Sequence, residues 1–254
     1  MEQTTCPRCG GTGWRIVERQ EVSGAQRCEC VLEGRSERLE DSSGVPPLYR
    51  NASLENFSLP QDNPTAQRSM ASVLLMIRSF ARDFPTEKRP GLLLIGDPGS
   101  GKTHLAVAAL RSLMGRGFQG FFFDYQNLLD RIRAGFDAAS GSSDREAYRN
   151  ALDAEVLLLD DLGAHRVSDW VEDTVTSIIT YRCNNRKPLI ATTNLPDPEA
   201  GDALVERSTN LPGKVEYRVS LSERIGMRAR SRLFEMCRVV RMPLVEDYRL
   251  RKAR

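Results

Sequence analysis

A doubly wound parallel α/β sheet is the fold class the sequence predicts, on two observations. Four short apolar runs, GLLLIG (91–96), GFFFD (120–124), AEVLLLD (154–160) and KPLIATTN (187–194), show no alternation, as strands buried on both faces of a parallel sheet require. Helical patterns separate them, at 102–114, 125–136, 144–152 and 168–183, and strand–helix alternation of this kind builds a layered α/β domain. Ahead of the first strand, Met70, Val73, Leu74, Ile77, Ala81 and Phe84 recur at three- and four-residue steps, predicting a helix from Thr65 onward with one buried face. After Asn194 one helix, 221–237, is clear among the last 60 residues, so a C-terminal lid would be a reduced one.

The 254 residues suffice for one domain of about 200 residues with a small appendage. A composition 40% hydrophobic and 28% charged excludes wholesale disorder and a collagen-like or membrane class. No uncharged segment approaches the ~18 residues that span a bilayer, and Met1 is not followed by a basic stretch and an apolar run. The expectation is a cytoplasmic protein with no membrane partner. The net charge of +2 hides an asymmetry: residues 221–254 hold ten Lys and Arg against four acids, whereas residues 1–50 hold seven against eight. A nucleic-acid footprint is therefore expected outside the N-terminal segment.

Residues 96–103, GDPGSGKT, satisfy G-x-x-x-x-G-K-[ST] directly after an apolar strand and directly before the helix that opens at His104, the context that motif demands. In this reading Gly96, Asp97, Pro98, Gly99, Ser100 and Gly101 form a loop whose backbone N–H groups cradle the phosphates of ATP, and His104 belongs to the same nucleotide-binding set. Lys102 reaches the β- and γ-phosphates, and Thr103 ligates Mg²⁺. The bland alternative is a glycine-rich turn that binds nothing. In VLLLDDLG (156–163), Asp160 ends a strand and is assigned to Mg²⁺, and Asp161 to the attacking water, unless the two acids merely cap the strand. Asn194, at the end of ATTN, is assigned to the γ-phosphate or the water; an isolated Asn at such a position is ordinarily a turn residue.

Cys6, Cys9, Cys28 and Cys30 are spaced C-x₂-C-x₁₈-C-x-C, which suits a structural tetrahedral Zn²⁺, although C-x-C is tighter than the usual C-x₂-C. An Fe–S cluster, a redox pair and free thiols are the alternatives. A head of about 30 residues has too little core to fold unaided, so a metal would supply much of its stability. Cys183 and Cys237 read as lone packing thiols. From about residue 33 to 65, DSSGVPPLY and LPQDNP mark loops and turns. The expected organisation is a four-cysteine zinc-binding module at 1–45, a linker at 46–65 and an ATP-binding domain at 66–254.

Those motifs in this order, followed by LSERIGMRARSRLFEMC (221–237) and DYR (247–249), resemble the AAA+ ATPases of the DnaC/DnaI helicase-loader and IstB transposition-helper group. The likeness covers nearly the whole chain, and the Cys-rich head resembles DnaI-type loaders in particular. The resemblance implies a P-loop AAA+ core and ATP hydrolysis that is slow in a lone subunit. It makes Arg232 the finger that reaches a neighbouring subunit's γ-phosphate, with Arg230 its competitor, and Arg249 a sensor of nucleotide in cis. By residue type alone Arg232 is one of many solvated arginines. The resemblance also places YRNASLENF (49–57) beside the adenine and makes Arg131 and Arg133 candidates for single-stranded DNA. The implied partners are the hexameric replicative helicase through the Cys head, single-stranded DNA, and further copies of the chain in an ATP-dependent manner. The leading expectation is thus a loader of the replicative helicase. A transposition helper that binds duplex target DNA and a transposase, and a non-hydrolysing adaptor ordered by nucleotide, remain the alternatives.

Overall fold

The computed structural model describes residues 6–10, 12–19, 22–61, 63–86, 88–135, 142–164, 168–202, 205–207 and 215–248. At its centre lie five parallel strands: β3 (Gly91–Ile95), β4 (Gly120–Asp124), β5 (Val156–Asp160), β6 (Leu189–Thr193) and β9 (Cys237–Arg241). They run in the spatial order β4-β5-β6-β3-β9. The chain leaves β3 for the far edge at β4 and returns through β5 and β6 to pair with β3 again. The strand order therefore reverses at β3, where the loops splay apart and ligands bind in sheets of this kind.

Alternate residues of each strand serve opposite faces. Leu92 and Leu94 of β3, with Leu158 and Ile190, pack against α2 (Pro64–Asp83) and α3 (Lys102–Gly115) through Ile77, Phe80, Leu110 and Met114. Leu93 and Ile95, with Leu157, Leu159 and Ala191, pack against α4 (Tyr125–Gly135), α5 (Ser142–Asp153), α6 (Asp169–Asn184) and α8 (Met227–Met236). This two-sided burial is why the strands read as continuous apolar runs. The four expected strands, the helices between them and the amphipathic helix over 64–83 are all present. Cys183 is half-buried, and Cys237 is fully buried with its Sγ 3.5 Å from the Leu189 carbonyl.

Three elements differ from expectation. The helix expected over 221–237 is two, α7 (Leu221–Ile225) and α8, broken at Gly226. Gly226 has φ +80°, and a Cβ there would press into the Glu172 carboxylate, so only glycine fits the bend. β9 follows at once, and its mixed CRVVR composition marks an edge strand that sequence reasoning passed over. Where loops were expected from residue 33, α1 (Glu29–Ser42) is helical. Its end is held by tertiary contacts: Leu39 packs on the core, Glu40 pairs with Arg111 at 3.0 Å, and the Ser43 carbonyl accepts the Phe122 N–H at 2.7 Å. Ahead of α1 lies a hairpin, β1 (Trp14–Arg19) paired antiparallel with β2 (Val22–Arg27); a second hairpin pairs β7 (Val205–Arg207) with β8 (Val215–Tyr217). Among the described residues no helix is long and apolar enough to cross a membrane.

The far end of the sheet from the nucleotide loop depends on one fully buried arginine. Arg182 of α6 donates to the carbonyls of Ala151 (3.0 Å) and Leu152 (3.2 Å) at the end of α5, and to that of Pro188 (2.5 Å) before β6. It thereby satisfies helix-end acceptors that have no partner within their own helix. Burial draws its pKa down to about 9, which still leaves it charged at neutral pH. Arg182→Leu leaves three buried carbonyls without donors and is expected to cost on the order of 2–4 kcal/mol. An unchanged urea midpoint for the full chain would refute that account.

Candidate functional site

The loop 96–101 leaves β3 at the strand-order reversal and enters α3 at Gly101. Gly101 has φ +93°, and a Cβ on it would come within 2.7 Å of the Phe57 ring. No side chain caps α3, so its first N–H groups face the loop as an anion site. Lys102 is buried and its Nζ donates to the Asp97 carbonyl at 2.9 Å; Ser100 Oγ donates to the same oxygen at 2.8 Å.

Facing the loop is Asp160, whose Oδ1 accepts from Thr103 Oγ1 (3.0 Å) and Thr192 Oγ1 (2.6 Å). Burial, the largest influence, raises its pKa; the two hydroxyls oppose that, and the neighbouring Asp161 charge adds to it. Thr192 Oγ1 also accepts the Asp161 N–H at 2.9 Å. Asp161 is left-handed at φ +53°, a conformation that Asp tolerates better than most residues, and its Oδ1 accepts from Asn194 Nδ2 at 3.4 Å. Asn194 Oδ1 is buried with no hydrogen-bond partner among the described residues. Lys102, Thr103, Asp160, Asp161 and Asn194 therefore converge on one end of the sheet.

Two segments cross this end. Residues 49–57 lie along α3: His104 Nε2 donates to the Ser53 carbonyl (3.0 Å) and stacks edge-on to Phe57 (5.4 Å), while Arg111 and Arg78 donate to the carbonyls of Ala52 and Leu54. On the other side Met242 N–H donates to Ile95 O (2.8 Å) and Tyr248 N–H to Gly99 O (3.2 Å). Arg249 lies outside the described residues.

Sequence reasoning missed two contributors. Thr192 was within a quoted motif, and a hydroxyl one strand away from an aspartate was the signal for it. Arg218 gave none: its Nη2 meets Asp97 Oδ1 at 3.2 Å and the Asn194 carbonyl at 3.1 Å, across 121 residues of sequence in the first case. The remaining arginine candidates separate clearly. Arg230 is nearly buried, bidentate to Asp197 (2.8 and 2.9 Å), paired with Glu199 (2.6 Å), and 4.3 Å over the Phe234 ring. Arg232 is 45% exposed on α8, and its ion pair is local, with Glu235 at 2.7 Å. Arg131 lies 5.8 Å over Phe123, and Arg133 4.5 Å over Trp170.

The four head cysteines come together as well, their sulfurs all within 4.8 Å of one another. Cys6 and Cys9 flank a turn in which Gly10 N–H donates to Cys6 O at 2.8 Å; Cys28 immediately precedes α1 and Cys30 lies in its first turn. The Gly13 N–H donates to Cys9 Sγ at 3.4 Å. Hydrogen bonding to Cys28, then to Cys9, pushes the Cys30 thiol well above its ordinary range, so cation uptake here would displace protons. The cluster is compatible with metal binding.

A profile of the family described as IstB-like ATP binding protein matches residues 32–207, most of the chain and the whole of the loop, Asp160 and Asn194. The chain belongs to this family. The IstB-like match begins inside α1, after the cysteines. Among relatives, YqaM of Bacillus subtilis, described as uncharacterized, is 28% identical over 184 residues, 70% of this chain and 57% of YqaM, so the chain spans little more than half of that relative. The replicative helicase loader DnaC of Escherichia coli K12 is 24% identical over 200 residues, 77% of this chain and 78% of DnaC. A crystal structure of the DnaC helicase loader is similar at 33% identity with a TM-score of 0.60, covering 78% of this chain and all of that one. The fold is that of the AAA+ P-loop ATP-binding proteins.

A carboxyl whose native pKa lies above its unfolded value is held protonated more readily in the fold, so its ionised form at neutral pH costs stability. Asp160→Asn keeps an oxygen for Thr103 and Thr192 and removes that cost. The nucleotide-free variant should melt higher, by about 2–4 °C for each kcal/mol recovered. A lower melting temperature would contradict this electrostatic reading.

Proposed function

We propose that the chain is an ATP-hydrolysing loader that binds the hexameric replicative helicase and helps place it on single-stranded DNA. One observation carries the reading: a complete phosphate loop whose Lys102 folds back onto Asp97 and whose Thr103 donates to the buried Asp160, in a chain similar at 33% identity to all of one solved DnaC helicase-loader chain. In this reading the loop N–H groups and Lys102 bind the phosphates, and Thr103 and Asp160 hold Mg²⁺. Held there, Mg²⁺ would supply positive charge to offset that of the transferring phosphoryl group. Asp161, fixed through its N–H to Thr192, accepts a proton from the attacking water. Asn194 offers its unpaired Oδ1 to the same water.

Arg230 is engaged within its own chain, which favours the exposed Arg232 as the group donated to a neighbour's nucleotide. Hydrolysis would then be slow in a lone subunit and would weaken contacts between copies. The cysteine head, with Zn²⁺ the metal that four sulfurs at this spacing suit best, serves as the handle for the helicase. Its boundary is placed near residue 45, with α1 as the connector, residues 46–65 as the linker passing the adenine and 66–254 as the ATPase. Arg131 and Arg133 remain the DNA candidates, Arg249 the cis sensor, and the cytoplasm the compartment. The family description supports one second reading, a transposition helper acting on duplex DNA with a transposase.

The deciding experiment is size-exclusion chromatography of the full chain with the host's replicative helicase. The wild type should co-elute in ATP and Mg²⁺ and separate in ADP, while Cys9→Ser should bind ATP and lose the helicase. If wild type never joins the helicase and instead binds duplex DNA in ATP, the transposition-helper reading replaces this one.

A further inference from the structure

Two cations converge on Asp97, one residue into the phosphate loop. Lys102 donates to its backbone carbonyl at 2.9 Å, and Arg218 meets its carboxylate at 3.2 Å. The same Arg218 nitrogen donates to the carbonyl of Asn194 at 3.1 Å, so the guanidinium bridges the loop and the tip of β6. It arrives there from the segment between β8 and α7, outside the residues matched by the family profile. The side chain is 28% exposed and the Asp97 side chain 41%, so the pair is reachable from solvent. An ion pair this open to water contributes little to stability, and its guanidinium can exchange one anion for another.

Resting on the ATP-binding reading proposed above, we propose that Arg218 is a specificity residue for the terminal phosphate. Without nucleotide it is held by the Asp97 carboxylate. When ATP occupies the loop, the γ-phosphate competes for the same guanidinium, which turns from carboxylate to phosphate. A planar fork suits both anions, and a phosphate carrying more charge wins the exchange. ADP, lacking that group, leaves Arg218 on Asp97. The exchange reports the state of the nucleotide to the segment entering α7 and α8.

Equilibrium titration of the full chain with fluorescent ATP and ADP analogues in Mg²⁺ tests this. Arg218→Ala should weaken ATP binding about tenfold or more, the scale of one charge-assisted contact, and leave ADP within about twofold. Arg218→Lys, which keeps the charge and loses the fork, should fall between. Asp97→Asn, which removes the competing charge, should raise the ATP-to-ADP affinity ratio above that of wild type. Equal losses for ATP and ADP in Arg218→Ala would make the residue a loop brace and overturn the proposal, as would no loss at all. Should Arg218→Ala fail to fold, Arg218→Lys and Asp97→Asn decide: an ATP-to-ADP affinity ratio that does not rise in Asp97→Asn, or does not fall in Arg218→Lys, overturns it. Lys102→Ala separates the two readings, since undiminished binding of both nucleotides there would refute the site itself.

Discussion

The Asp160 carboxylate sits where three separate stretches of chain have to meet, and the site depends on how it is held. It ends β5, takes one hydroxyl from the first turn of α3 and another from β6, and is buried against its own preference for water. Thr192 then uses the same hydroxyl to receive the Asp161 N–H, which fixes the next residue in its left-handed turn. A buried carboxylate with a raised pKa is costly to ionise, and the fold carries that cost. The parallel sheet makes this possible by ending β3, β5 and β6 at the same edge, beside the point where strand order reverses.

The same edge connects the nucleotide to the surface that would meet a neighbour. Three residues beyond Asn194, the buried Asp197 is gripped by Nε and Nη2 of Arg230, whose Nη1 pairs with Glu199, and two residues after Arg230 the half-exposed Arg232 stands on α8. The segment after β6 is thus tied to α8 through a short, bidentate contact. The cation–π contact of Arg230 with Phe234 stiffens the same turn. A nearly buried, doubly paired arginine and a half-exposed one with a local partner thus lie two residues apart in one helix.

Periodicity exposed the sheet because β3, β5 and β6 are apolar on both faces, and α2 because its buried residues lie on one stripe. Motif spacing exposed the loop, Asp160 and the cysteine cluster, since each is a local constraint of backbone and ligand geometry. What stayed hidden depends on distant partners. α1 has no apolar stripe and is held at its end by Arg111, Ser43 and Leu39; β9 is a mixed edge strand that only its pairing with β3 defines. The break at Gly226 follows from the Glu172 side chain of another helix, and Arg218 from an encounter with Asp97 that no local pattern encodes.

In the reading proposed above, the nucleotide site is built in one chain around Asp160 and completed by Arg232 of another. Mixing two inactive variants tests it most directly: Lys102→Ala has no working site but an intact Arg232, and Arg232→Ala has the reverse. The account predicts negligible ATP turnover from each alone and recovery of a substantial fraction of wild-type turnover in the mixture, increasing with protein concentration. Full activity of Arg232→Ala by itself, or no recovery at any mixing ratio that still lets the chains associate, would contradict it.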